Sequence, residues 1–256
     1  MLINMRDTLG HRCLMGVVAP ATNTVVQPEM EALRPGGALG GVVNAHARIA
    51  NPEQRVAADA DTLAVRAAMV SGLMGALDTL APCQPDHLIL GVMVENFVGG
   101  GEAGAALIRD AGERTGCGVT DYSTAILAAL EALFGRRARL ALITPFMPVG
   151  DAAARRIFEE AGHDVLRVTG LKAPSPASIG RVPLDRLREA VRELDGPEVE
   201  AIIQLGTGLP FADVAREAEA ALGKPVLASN PVSYWRALRQ MGIRDAMPER
   251  GRLFAL

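Results

Sequence analysis

The sequence predicts an α/β protein of two pseudo-symmetric lobes, each a mostly parallel sheet flanked by helices. Three observations carry this. Short apolar runs such as Leu88–Val92 and Ala201–Leu205 are bounded by turn residues, the pattern of strands buried on both faces. Such runs alternate with helical patterns along the whole chain. The two halves also form a weak internal repeat: LMGVVAPATNT matches LALITPFMP, DHLILGVMVENF matches EAIIQLGTGLPF, and TGCGV matches LGKPV.

Taken in order, the first strand is expected at Cys13–Ala19, followed by the loop PATNT and a helix over Val25–Leu33 that Pro35-Gly36-Gly37 ends. Val42–Ile49 reads as the second strand. Pro52-Glu53 opens a long helical pattern to Leu80, its apolar positions including Ala57, Leu63, Val70, Leu73 and Leu77. The buried run Leu88–Val92 then enters a loop carrying Glu95, Asn96 and three glycines. A helix over Glu102–Thr115 and a short strand after Cys117-Gly118 follow.

The second half reads as a helix at Ser123–Phe134, a strand at Leu140–Thr144 and a helix at Asp151–Gly162. A strand at Asp164–Val168 precedes the Pro/Ser-rich loop Lys172–Ser178, the segment expected to be flexible. Next come a helix at Leu184–Leu194, the strand Ala201–Leu205, the loop GTGLPF and a helix at Ala212–Leu222. The strand Pro225–Ala228 and a helix around Val232–Met241 close the chain. The lobes are then 1–120, completed by the C-terminal helix 230–256, and 121–229.

Composition narrows the function classes. With 256 residues, 49% of them hydrophobic, the chain can bury full cores in both lobes. A net charge of −3 with interspersed signs lacks the basic face of a nucleic-acid binder. Apolar segments are broken by Gly, Asp or Arg before the roughly 18 residues of a membrane span, and the N-terminus has no signal-peptide core. A cytoplasmic protein is expected. Three cysteines, Cys13, Cys83 and Cys117, form no CxxC pair, and four scattered histidines form no metal motif. FVGGGEAG lacks the GxGxxG spacing of a dinucleotide site. The expected partners are a small carboxylate substrate and further copies of the chain, with neither nucleic acid nor membrane.

The opening GVVAPATNTVVQPEMEAL, a strand ending ARI, LILGVMVENFVGGGE, ALITPFMP and the closing AIIQLGTGLP…LGKPVLASN together resemble the maleate cis–trans isomerases. Those enzymes belong with the arylmalonate decarboxylases in the aspartate/glutamate racemase superfamily. The resemblance spans nearly the whole chain, and the PxxNTxxxPEM opening and GKPVxxSN close are its most specific parts. It implies a cofactor-independent enzyme, without metal, working in a cleft between two similar lobes. It also implies a cysteine at the end of the central strand of each lobe, at about Val92 and at Gly206, where neither residue is cysteine. Valine and glycine can neither add to a double bond nor shuttle a proton, so thiol chemistry at those positions is excluded. The tyrosine the family often carries after the second-lobe Thr-Pro is Phe146 here, while Asn23, Thr144 and Pro145 are retained.

Glu95, three residues beyond Val92 among apolar neighbours, is the candidate acid–base group; a solvent-facing or capping glutamate is the plainer alternative. Asn96 beside it offers an amide. Thr22 and Asn23 precede a helix N-terminus suited to a carboxylate, or serve only as caps. Thr207 and Gly208 offer a hydroxyl and backbone amides from the other lobe. The resemblance places substrate-binding hydroxyls near Ser123 and Thr124 and assigns Thr144 and Phe146 to the site. Arg48 attracts an anion or pairs on the surface; His46 and His87 read as structural. The expected reaction is a lyase or isomerase step on a small carboxylate or dicarboxylate. Its alternatives are a carboxylate-binding protein that has lost the reaction and a hydrolase using Glu95-activated water.

Overall fold

In the computed structural model, residues 7–93 and 101–256 are described, apart from the side chains of Asp59, Thr62 and Arg66. The first half contains β1 (Cys13–Pro20), α1 (Val26–Ala32), β2 (Val42–Ile49), α2 (Asp59–Leu80), β3 (His87–Leu90), α3 (Gly101–Thr115) and β4 (Gly118–Thr120). The second contains α4 (Tyr122–Phe134), β5 (Arg139–Thr144), α5 (Pro148–Glu160), β6 (Asp164–Gly170), α6 (Leu184–Leu194) and β7 (Ala201–Gln204). It ends with α7 (Ala212–Leu222), β8 (Val226–Leu227) and α8 (Ser229–Gln240).

The strands form two four-stranded parallel sheets with the same order, β2-β1-β3-β4 and β6-β5-β7-β8. The sequence repeat is therefore a repeat of topology. β3 and β7 hold the same place in their sheets, and every residue of both is buried, as continuous apolar runs in parallel sheets require. One core joins the sheets: Met15, Val17 and Ile89 from the first and Leu140, Leu142 and Ile203 from the second share a cluster with Tyr122, Trp235 and Leu238. Helix α4 begins where Asp121 accepts the Ser123 and Thr124 amides, and it packs along α8. Helix α8 also lies against α1, β3 and β4, so the end of the chain returns to the first sheet.

Two sequence expectations are corrected. The long helix starts at Asp59 rather than at Pro52. Residues 52–58 instead cross to the other lobe, where the Val56 amide donates to Pro174 O (2.6 Å) and Glu53 accepts the Ala177 amide (2.8 Å). Asp61 then reaches back to the Ala57 and Ala58 amides, and these bonds hold its carboxyl below the usual range. The helical pattern of this segment yields to tertiary contacts. Secondly, Leu63–Cys83 is long and apolar enough to cross a membrane by length and composition. Only one face of it is buried: Met69, Leu73, Ala76, Leu77 and Leu80 pack where α2 meets β1, β2 and α3.

Candidate active site

A cavity of about 150 Å³ opens between the sheets at the carboxyl ends of their strands, where loops gather in folds of this kind. Each inner strand feeds the wall from its carboxyl end: Pro20 at the end of β1 with Thr22 and Asn23 beyond it, Val92 and Met93 after β3, Pro145–Met147 after β5, and Gly206–Gly208 after β7. The loops 51–56 and 173–180, tied to each other across the lobes, complete it. The segment expected to be flexible is thus bonded at Ala173, Pro174 and Ala177.

Polar groups in the wall are few. Asn23 Oδ1 accepts the Val25 and Val26 amides (2.8 and 3.0 Å), capping α1, while its Nδ2 donates across the lobes to Thr207 Oγ1 (3.3 Å). Thr207 Oγ1 donates in turn to Gly91 O (2.8 Å). Among the described residues no acceptor takes the backbone N–H of Thr207 or Gly208. Thr22 pairs with Asn51 (Nδ2 to Oγ1, 3.0 Å). The rest of the wall is mainly apolar, and no Asp, Glu, His, Lys, Arg, Tyr or Cys contributes to it among the described residues.

Of the residues singled out by sequence, Thr22, Asn23, Phe146, Thr207 and Gly208 border the cavity. Thr144 does not: its buried hydroxyl donates to Asp151 of α5 and accepts the Phe146 amide (3.0 Å), so it shapes the loop beneath Phe146. Burial pushes the Asp151 carboxyl up, against the Thr144 bond. Ser123 and Thr124 also lie outside the cavity wall, in the cap that Asp121 organises. Glu95 and Asn96 fall outside the described residues. Arg48 is exposed and forms no ion pair among the described residues: it donates to Asn23 O (2.6 Å) and Gln27 Oε1 (2.8 Å), bracing the loop that carries Asn23. His46 bonds Glu31 (3.0 Å). His87 bonds Thr120 (2.8 Å), and burial lowers its pKa to about 4. Sequence reasoning missed Asn51, Met147, Ser175 and Ile179; all four sit on loops whose approach depends on how the lobes meet.

The two strand-end positions differ sharply. Val92 is buried and borders the cavity on ordinary backbone. Gly206 adopts φ +93°, and a Cβ there would lie 2.6 Å from both Pro145 Cδ and Cγ. Only glycine fits that turn without movement. Cys13 is buried, Cys83 exposed and Cys117 partly buried, and none borders the cavity.

The sequence profile of the arylmalonate decarboxylase family matches residues 89–254, well over half of the chain. The chain belongs to the arylmalonate decarboxylase family. It is 35% identical to the arylmalonate decarboxylase of Bordetella bronchiseptica over 167 residues, covering 62% of this chain and 67% of the relative. It is 26% identical to the maleate isomerase of Nocardia farcinica over 250 residues, covering 93% and 94%. Among solved structures, a mutant of the Nocardia farcinica maleate cis–trans isomerase with a covalently bound succinylcysteine intermediate superposes with a TM-score of 0.82 at 25% identity, covering 94% of this chain and 98% of that one. These likenesses agree with the two-sheet, aspartate/glutamate racemase-like architecture and with the family resemblance read from sequence.

Proposed function

We propose that the protein is a cofactor-independent lyase or isomerase acting on a small carboxylate in the cavity between its lobes, with an acid–base group other than cysteine. The observation that carries this reading is the composition of the wall: Asn23, Thr207 and Gly208 border a mainly apolar enclosure without a thiol, and among the described residues the Thr207 and Gly208 amides have no acceptor. The amides of Thr207 and Gly208 suit a carboxylate, or the enediolate that forms when one is lost. Val56, Val65, Met69, Phe146, Met147 and Ile179 suit an apolar substituent. That balance favours a substituted malonate over a bare dicarboxylate such as maleate. A carboxylate placed against those apolar walls loses solvation, which promotes its departure as CO2. The electron pair left behind passes into the remaining carboxylate as an enediolate, and a proton must then return to carbon. Glu95, two residues beyond Met93 in the sequence, is the group we assign to that transfer.

One observation favours a second reading, a carboxylate-binding protein without turnover: no titratable side chain borders the cavity among the described residues. The deciding experiment screens aryl- and alkyl-malonates, maleate and simple monocarboxylates by proton NMR in D2O for decarboxylation, isomerisation and solvent exchange. Turnover is expected, and Glu95→Gln is expected to slow it by about two to four orders of magnitude with a much smaller change in affinity. Turnover at the wild-type rate in that variant removes Glu95 from the mechanism. Binding without turnover in the wild type selects the second reading.

A further inference from the structure

Glu29 and Asn230, from the two most specific stretches of the sequence (PEM and SN), meet across the molecule. Glu29 lies on α1, on the turn after the Asn23 cap. Its Oε1 accepts the Ala212 amide at the start of α7 (3.0 Å), and its Oε2 accepts Asn230 Nδ2 (2.7 Å). The same Nδ2 donates to Thr207 O (3.0 Å). Thr207 is therefore held twice: through its hydroxyl by Asn23 in the loop before α1, and through its carbonyl by Asn230, which Glu29 of α1 holds. Asn230 is almost completely buried, and its Oδ1 finds no donor among the described residues. A buried acceptor left unpaired is costly and calls for a reason.

We propose that Glu29 is a positioning residue of the cavity: its carboxylate orients the Asn230 amide to hold Thr207, and its protonated form releases that hold. An ionised Glu29 has only acceptors, so Asn230 must present Nδ2, which then also reaches Thr207 O. A protonated Glu29 has an O–H to give. The matching partner is the unpaired Asn230 Oδ1, and meeting it requires the amide to turn over. Nδ2 then leaves both Glu29 and Thr207, and the Thr207 carbonyl loses its donor. The inference rests on the reading above only in taking Thr207 as part of the ligand site.

The surroundings place this exchange in an accessible range. Burial pushes the Glu29 carboxyl up to about 7, against the Ala212, Asn230 and Phe211 donors, and the Asp213 carboxylate adds to the rise. On α7, Asp213 is itself paired with Arg216. On β2, Arg48 is bonded to Asn23 and Gln27, and His46 to Glu31, Glu29's neighbour on α1. The charged side chains of α8 are Arg236 and Arg239. Among the described residues no cation forms an ion pair with Glu29.

The test is a pH titration of the full-length protein, carbon-13 labelled at glutamate and nitrogen-15 labelled throughout, from pH 5 to 9. The Glu29 carboxyl carbon and the Thr207 and Gly208 amides are expected to titrate with one midpoint near 7. In Asn230→Ala, Glu29 should still titrate while Thr207 and Gly208 stop following it; in Glu29→Gln their pH dependence should vanish. The wild-type titration decides alone if a variant fails to fold. A Glu29 midpoint in the ordinary carboxylate range, or Thr207 and Gly208 signals that ignore it, overturns the proposal. Neither result needs turnover. A cavity that binds no malonate or maleate while Thr207 still follows Glu29 defeats the functional reading and leaves this one standing.

Discussion

Val92 and Gly206 occupy equivalent places, each two residues past a central strand, yet they are built for different ends. Val92 points a branched side chain at the cavity from backbone that any residue accepts. Gly206 turns the chain through φ +93° so closely under Pro145 that no side chain fits without movement, and Thr207 and Gly208 follow it in the cavity wall. The first strand end thus carries a side chain on ordinary backbone, while the second has room for backbone alone. Any side chain at Gly206, a thiol included, would have to displace Pro145.

Gly206→Cys gives the largest expected effect. A positive φ costs a non-glycine residue roughly 1–2 kcal/mol, and forcing atoms into a packed site adds about 1–3 kcal/mol. Urea unfolding should show a loss of about 2–5 kcal/mol. An unchanged midpoint would mean that the Pro145 loop moves freely and that the two strand ends are alike after all.

The next prediction concerns Glu29, which joins the two strand ends through Thr207. Its folded pKa of about 7 lies above the ordinary 4.5, so the folded state keeps a proton that the unfolded chain has released. This group's contribution to stability is therefore full below about 4.5 and is lost as pH rises to about 7, by at most about 3 kcal/mol. His87 acts in the opposite sense: its pKa is lowered from 6.5 to about 4, so its contribution is lost as pH falls through that window. The difference between Glu29→Gln and wild type isolates the first effect. It should move in favour of the variant between pH 4.5 and 7 and stay level above. A difference independent of pH would show that Glu29 is ionised throughout.

How far the sequence could be read depended on whether the partner of each residue was local. Buried strands and their order of alternation follow from short-range patterns, and the repeat announced two like sheets. Asn23 and Thr144 show where that reading ends. Thr144 ends β5 and Asn23 follows the matching strand β1, and both bond an amide two residues on. Asparagine accepts that amide through Oδ1 and keeps Nδ2 as a donor, which crosses to Thr207, whereas the threonine hydroxyl donates to Asp151 on the helix that follows. Nothing local distinguishes the two; the difference lies in a residue 184 positions away. The start of α2 was misread for the same reason, since Pro174 and Ala177 draw residues 53–56 out of the helix. Asn23→Ala removes both the cap and the crossing bond and should cost about 1–2 kcal/mol, and it should weaken carboxylate binding. Thr144→Val should leave binding nearly unchanged. Equal binding losses in calorimetry would make the two turns equivalent.

The smallest effect is expected at Val92, and it tests the comparison from its other side. Val92→Cys exchanges a buried side chain for one of similar volume on unstrained backbone, so stability should change by less than about 1.5 kcal/mol. It places a thiol at the first strand end in surroundings that disfavour its reactive form. The described neighbours in the cavity are mainly apolar and include no cation, which raises a thiol's pKa and leaves little thiolate at pH 7. Alkylation by iodoacetamide, followed by peptide mass spectrometry, should therefore be slower at position 92 than at the exposed Cys83 of the same molecule. Faster labelling at 92 would reveal an electropositive field there, with the Thr207 and Gly208 amides as its nearest described source. The second strand end would then activate the first, and the division between backbone and side-chain roles would have to be redrawn.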